Sequence, residues 1–234
     1  KNRGAAQKEC DRRRIATTKL REVSVQVRIM SYNIENMGQK FDQHCVMKES
    51  EERIQAITNT ILECSPHILG IVEASDNQGD HECLTTKTAL KRLNYQIAKS
   101  EQKRNRQDLV FYYRDPFELV SIDEDIKFYK SWKEDIDEDS IVEVLRFERK
   151  PLEAVFRVKH SEKLLRVILV SFKSKAVFST ADIHRYEQLA LANRKKLFAQ
   201  SKKVRERLNI LYDEDPLRSV VVMGDLNDEV GMDH

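Results

Sequence analysis

The chain has 234 residues, 40% hydrophobic and 34% charged, long enough to bury a substantial core beneath a heavily charged surface. Its 41 Lys and Arg against 39 Asp and Glu leave a formal charge of +2, so affinity for a polyanion has to come from local clusters of cations and not from an overall field. No apolar run approaches the ~20 residues needed to cross a bilayer, which excludes a helical membrane span.

Residues 1–22 are basic, carry little apolar periodicity and read as a leader or a short helix; residues 23–234 read as one domain with no internal repeat or linker. Residues 23–33 alternate, with Val23, Val25, Val27, Ile29 and Ser31 on one face, and predict a strand ending at the carboxamide of Asn33. Ser50 with Glu51 and Glu52 marks a helix start, and Ile54, Ile57 and Ile61 share helical spacing up to Ser65-Pro66. Residues 68–72 are a continuous apolar run, expected of a strand covered on both faces, and stop at Glu73. Strand, helix and strand at this spacing make a βαβ-like unit.

Residues 82–93 look helical, and residues 108–113 and 117–122 look like two strands turned at Asp115-Pro116. The acidic stretch 123–139 reads as a solvated excursion. Three further strands are expected over residues 142–147, 152–158 and 164–172. Ile183, Tyr186, Ala190, Leu197, Val204, Leu208 and Leu211 then define a long helix ending before Asp215-Pro216. Residues 220–228, Val-Val-Val-Met-Gly-Asp-Leu-Asn-Asp, form a buried strand, a glycine turn and a polar exit. If the extended geometry persists there, Asp225 and Asn227 point to one side.

Several strand ends thus carry polar groups suited to phosphoester chemistry. A carboxylate such as Asp225 can orient or deprotonate a water, and an amide such as Asn227 can donate to a phosphate oxygen without adding negative charge. Glu73 by itself reads as an ion-pair partner; with Asn33 and the Asp225/Asn227 pair it reads better as a magnesium ligand, because Mg²⁺ takes one or two carboxylates plus waters and phosphate. Ser171, Lys173 and Lys175 end another strand, read either as an ordinary polar exit or as a phosphate-facing edge. The cations of the long helix and Lys103, Arg104 and Arg106 read as solvated faces. Cys10, Cys45, Cys64 and Cys83 show no Cys-x-x-Cys spacing and the histidines no ligand pair, so reduced thiols and a cytoplasmic protein are expected, a cleaved signal peptide staying open, and zinc is not.

These segments, in order, resemble the endonuclease/exonuclease/phosphatase superfamily related to DNase I and exonuclease III. Ile29-Met-Ser-Tyr-Asn33-Ile-Glu-Asn looks like its first strand, and Ile68-Leu-Gly-Ile-Val-Glu73 like the strand of its metal-binding Glu. Phe147-Glu-Arg149-Lys-Pro151-Leu resembles its Arg-Pro strand, and Gly224-Asp225-Leu-Asn227-Asp228 its Gly-Asp-x-Asn-Asp signature. The resemblance implies a four-layer αββα sandwich with two central, mostly antiparallel sheets flanked by helices. It also implies a Mg²⁺- or Mn²⁺-dependent hydrolase, a nuclease on DNA or RNA, with a phosphatase on small-molecule or lipid phosphates, or an impaired binding member of the fold, as alternatives. Glu73 and Asn33 would hold the metal, Asp225 and Asn227 would be catalytic, and Ser171, Lys173 and Arg149 would face phosphate.

Two departures stand out. Ser171 occupies the place where members related to DNase I have His, and the family's closing Asp-His would lie beyond His234. Asp233-His234 comes too soon to replace it, so the expectation is a carboxy-terminally shortened domain that is weakly active or inactive alone.

Overall fold

Alternation along the apolar strands sets the layers of this molecule. The structure, a computed structural model, describes residues 26–35, 45, 51–99, 108–123, 127–136, 140–177 and 182–228. Its first half contains β1 (Ile29–Asn33), α1 (Glu51–Cys64), β2 (Ile68–Ala74), α2 (Gln78–Lys87), β3 (Gln96–Lys99), β4 (Asp108–Tyr113) and β5 (Phe117–Asp123). The second half contains β6 (Trp132–Glu134), β7 (Glu143–Leu145), β8 (Leu152–Val158), β9 (Leu164–Ser171), α3 (Ile183–Glu214) and β10 (Ser219–Asp225). One sheet has the order β1-β2-β4-β3, a second the order β10-β9-β8-β5, and β6 and β7 form a separate ribbon.

In β2, Leu69 and Ile71 pack outward with Ile54, Ile57 and Ile61 of α1, while Ile68 and Val72 face inward. In β9, Val167 and Leu169 face inward and Ile168 and Val170 outward, against Leu197, Val204 and Leu211 of α3. Period-two strands and period-3.6 helices therefore stack as α, β, β, α, the sandwich expected. Both sheets are mixed: β1 and β2 run parallel, β9 and β10 run parallel, and the remaining pairs are antiparallel. Gly70 lets the sheets approach closely, since a Cβ there would sit 2.6 Å from Met223 Cε and 2.7 Å from Leu169 Cδ1. Around Phe156 the inward face is aromatic, with Phe111, Tyr113 and Phe117 at ring separations of 5.7, 5.4 and 6.2 Å.

Two buried polar groups tie the layers. Glu153 of β8, fully buried, accepts from Tyr129 Oη (2.8 Å), Arg166 Nη1 (2.7 Å) and both Nε and Nη2 of Arg207 on α3 (3.0 and 3.1 Å). His81 of α2 is also fully buried; its Nε2 lies 2.8 Å from the carbonyl of Ser75 and its Nδ1 2.8 Å from Tyr112 Oη. A carbonyl can only accept, so Nε2 carries the proton and Nδ1 accepts from the tyrosine.

Several expectations change. The first strand begins at Ile29, residues 26–28 being irregular and residues 1–25 lying outside those described, as do Lys103, Arg104, Arg106 and the Asp233-His234 ending. The second helix starts at Gln78 behind the Asn77 cap, whose side chain accepts from Gly79 N, and gives way to a 3₁₀ turn at Ala89–Leu93. The strands either side of Asp115-Pro116 belong to different sheets, so this turn is a crossover and not a hairpin. The acidic stretch is not wholly solvated: it contains β6 and buries Tyr129, with Phe128 and Trp132 packed against the same cluster. Charge density hid these aromatics from the periodicity reading. Cys45 and Cys83 are joined as a disulfide with a Cα separation of 5.3 Å, contrary to the expected reduced thiols, while Cys64 is free and exposed. Spacing could not show this, because the fold brings together cysteines 38 positions apart.

Replacing Phe156 by Ala should cost about 3–5 kcal/mol, read as a lowered urea midpoint. Burial pushes the His81 imidazole down from 6.5 to about 4. The unfolded chain then binds the extra proton between these values, so stability is unaffected above pH 6.5 and falls as pH drops towards 4, by roughly 2–3 kcal/mol. Urea midpoints measured at pH 7 and pH 4.5 should fall less steeply in His81→Gln than in the parent protein.

Candidate active site

Parallel pairing sends β1 and β2, and likewise β9 and β10, out of their sheets at the same end. Asn33 pairs in register with Val72, just before Glu73, and Asp225 with Ser171. Across the two sheets, Asn33 Nδ2 donates to Asp225 Oδ2 at 3.0 Å. The other oxygen of Asp225 accepts from Asn227 N at 3.0 Å, and Asn33 Oδ1 accepts from Glu35 N at 2.9 Å. Asp225 is thus oriented from both sides by neutral donors.

Asn227 does not continue the extended geometry assumed from its alternate position. Its φ is +51°, and its Nδ2 turns back to donate to the carbonyl of Phe172 at 2.8 Å. Asn tolerates this left-handed conformation better than most residues. Phe172 N donates in turn to Asp225 O at 2.9 Å, which closes the exit of β9 onto that of β10.

Arg149 joins the two remaining exits. Its Nη1 donates to Ser171 Oγ at 2.9 Å, and its Nη2 lies 3.8 Å from Glu73 Oε1; both charged side chains are about three-quarters covered. Asn33, Glu73, Arg149, Ser171, Asp225 and Asn227, spread over most of the chain, therefore meet at one rim. Lys173 belongs to the same exit, but its ammonium pairs with Glu148 at 3.3 Å, and Lys175 pairs with Asp228. An open cleft of about 580 Å³ runs beside the segment from Gly224 to Asp228, with Lys175 on its wall.

Sequence reading missed two supports of this rim. Gln200 is buried; its Oε1 accepts from Lys173 N at 2.7 Å and its Nε2 donates to Arg146 O at 3.1 Å, so α3 holds the loop after β9. A Gln interrupting the apolar spacing of Leu197 and Val204 was the available signal. Arg53 of α1 donates to the carbonyls of Ile34 and Glu35, fixing the exit of β1. Nothing in its sequence setting separates it from an exposed helical cation.

The donors at the rim are carboxylate and carboxamide oxygens, which suit a hard cation such as Mg²⁺ or Mn²⁺ and not zinc. Among the described residues no group of three or more His, Cys, Asp and Glu is gathered to hold a metal ion. A cation here would keep several water ligands, as Mg²⁺ commonly does.

The layers agree with the sandwich that the resemblance implies. The chain is a mixed α+β sandwich of two four-stranded sheets with helices on the outer faces. No family model matches it and no curated protein matches it. Among solved structures it is similar to TDP2 from C. elegans, with 15% identity and a TM-score of 0.49 over 87% of this chain and 48% of that one. It is also similar to the human Nocturnin catalytic domain with bound sulfate, at 17% identity and TM-score 0.44, over 88% of this chain and 66% of that one. A third is ANGEL2, a 2′,3′-cyclic phosphatase, at 13% identity and TM-score 0.47, over 88% of this chain and 54% of that one. The chain spans about half the length of the first of these.

Gly224 is the local condition for the rim. Its φ is +138°, and an added Cβ would come within 1.9 Å of the carbonyl oxygen of Val170 on the adjacent strand. Gly224→Ala should therefore lower stability by more than ~2 kcal/mol, seen in the midpoint of urea unfolding followed by near-ultraviolet circular dichroism.

Proposed function

We propose that this protein is a divalent-metal-dependent phosphoester hydrolase that cleaves phosphodiester bonds of nucleic acid. The observation that carries the reading is the bond from Asn33 to Asp225, which holds an oriented carboxylate beside the exit of Glu73 and the guanidinium of Arg149. Glu73, with Asn33, would hold Mg²⁺ or Mn²⁺; the cation when bound polarises a phosphoryl oxygen and offsets developing negative charge.

Every other role falls to the chain itself. Asp225, held by Asn33 Nδ2 and Asn227 N, orients the attacking water and accepts its proton. Asn227 spends one amide N–H on Phe172 O and has a second to give to a phosphate oxygen. Arg149, whose Nη1 donates to Ser171 Oγ and whose Nη2 faces Glu73, places a positive charge beside the same phosphate. Ser171 supplies a hydroxyl where related enzymes place an imidazole, so the transition state loses one charged donor. Such a loss typically costs about 10²–10³ in rate. Lys175 on the wall of an open cleft favours an extended polyanion over a small enclosed substrate.

Ser171 also favours a second reading, in which the fold binds nucleic acid and no longer cleaves it; its hydroxyl is already engaged by Arg149. The Cys45–Cys83 bond favours an oxidising compartment over the cytoplasm.

Metal titration followed by cleavage assays on plasmid DNA, RNA and bis-p-nitrophenyl phosphate separates these readings. Metal-dependent turnover that drops at least ~100-fold in Glu73→Ala and Asp225→Ala is the expected result. Turnover unchanged in both variants removes the assigned site, and nucleic-acid binding without turnover selects the second reading.

A further inference from the structure

Glu73 stands where strand alternation would have put it in the wrong layer. Leu69 and Ile71 face the helical layer, so an unbroken strand would turn Glu73 onto that same apolar face. Instead the register of β2 against β4 shifts between Val72 and Ala74, and it is Ala74 that joins Leu69 and Ile71 in the outer cluster. Glu73 is the extra residue of this bulge, with a φ of +61°, and its carboxylate reaches Arg149 at the other sheet. Bulges re-aim side chains in this way. A non-glycine residue at positive φ is disfavoured by roughly 1–2 kcal/mol, so the conformation persists only where its surroundings over-determine it.

The surroundings that do so lie two residues on. Ser75 is buried and held at its carbonyl and its hydroxyl: its carbonyl accepts from His81 Nε2 (2.8 Å), and its Oγ donates to the buried Asp80 Oδ2 (2.5 Å) and accepts from Asn77 N (3.1 Å). Tyr112 of β4 completes the chain by donating to His81 Nδ1 (2.8 Å). The path thus runs from the end of β2, through α2, to β4, the strand against which the bulge is paired.

We infer that Ser75, Asp80, His81 and Tyr112 form a positioning device that holds the bulge and so aims the Glu73 carboxylate out of the apolar layer and at the rim. This rests on the reading of Glu73 as a metal ligand. None of the four touches substrate; they act through Glu73. Their burial explains the polar cost, because a hydrogen-bonded chain with every member satisfied fixes one conformation where an apolar contact would allow several.

Binding of Mn²⁺ to the full chain, measured from the loss of the free-ion electron paramagnetic resonance signal, tests this without any need for activity. The parent protein should bind, and Glu73→Ala should not. The double variant Ser75→Ala/Asp80→Leu removes the side-chain arm of the tether, leaving a buried apolar pair and the His81 bond to the Ser75 carbonyl; it should melt cooperatively yet bind Mn²⁺ about 10–100-fold more weakly, the usual effect of losing a ligand's support. Asp80→Asn keeps an oxygen for the Ser75 hydroxyl and should bind as the parent does. A folded double variant with parental affinity overturns the inference while leaving Glu73 as a ligand. Parental protein that binds no more Mn²⁺ than Glu73→Ala overturns the metal reading and this inference with it. Should the double variant fail to melt cooperatively, Tyr112→Phe, which deletes one hydroxyl from the chain, decides: a several-fold loss supports the inference and parental affinity overturns it.

Discussion

Asn33 and Asp225 lie 192 positions apart, on different sheets, and meet through one hydrogen bond of 3.0 Å. That contact exists only if two edge strands from separate sheets end level with each other and close together. Level ending follows from the parallel pairs β1 with β2 and β9 with β10, which send their carboxyl ends to one side. Closeness follows from the inner apolar layer, where Gly70 leaves room for Leu169 and Met223. The Asn33 amide can then donate directly to the Asp225 carboxylate.

Glu35, Glu73 and Asn227, the residues at or just past three of these exits, all adopt positive φ. Each is held from outside its own strand: the carbonyl of Glu35 by Arg53, the bulge of Glu73 by the tether at Ser75, and Asn227 by the carbonyl of Phe172. Departures from regular strand geometry are thus concentrated where polar side chains leave the sheets, with the stabilising groups placed on neighbouring helices and strands. This is the pattern expected when strain serves the placement of functional groups.

The outer helix follows the same logic at a distance. Arg207 of α3 reaches the buried Glu153 of β8, and Gln200, two turns earlier, holds the backbone after β9. A buried ion pair adds little net stability, since desolvation offsets most of its attraction, but it fixes which helical register is acceptable. Register at Arg207 therefore carries through to the position of Gln200, and from there to the loop bearing Lys173 and Lys175.

Element type and order were largely legible in the residues. Apolar, mostly β-branched runs such as 167–170 and 220–222 can hardly be anything but covered strands, and Ile54, Ile57 and Ile61 can share a face only in a helix. The polar exits at Asn33, Glu73, Ser171 and Asp225 were visible for the same reason: a hydrophilic side chain ending an apolar run is a local feature. Tyr129 and Trp132 were not recognised as core, because the acidic residues around them dominate any short window, and the Cys45–Cys83 bond joins segments no window spans. Nor could local pattern show the turned-back Asn227 or the bulge that re-aims Glu73. Periodicity assigns a side chain to a face only while the backbone repeats. Where φ changes sign, the direction of a side chain is set by partners that arrive from elsewhere in the chain, and only folding brings Phe172 to Asn227 and His81 to Ser75.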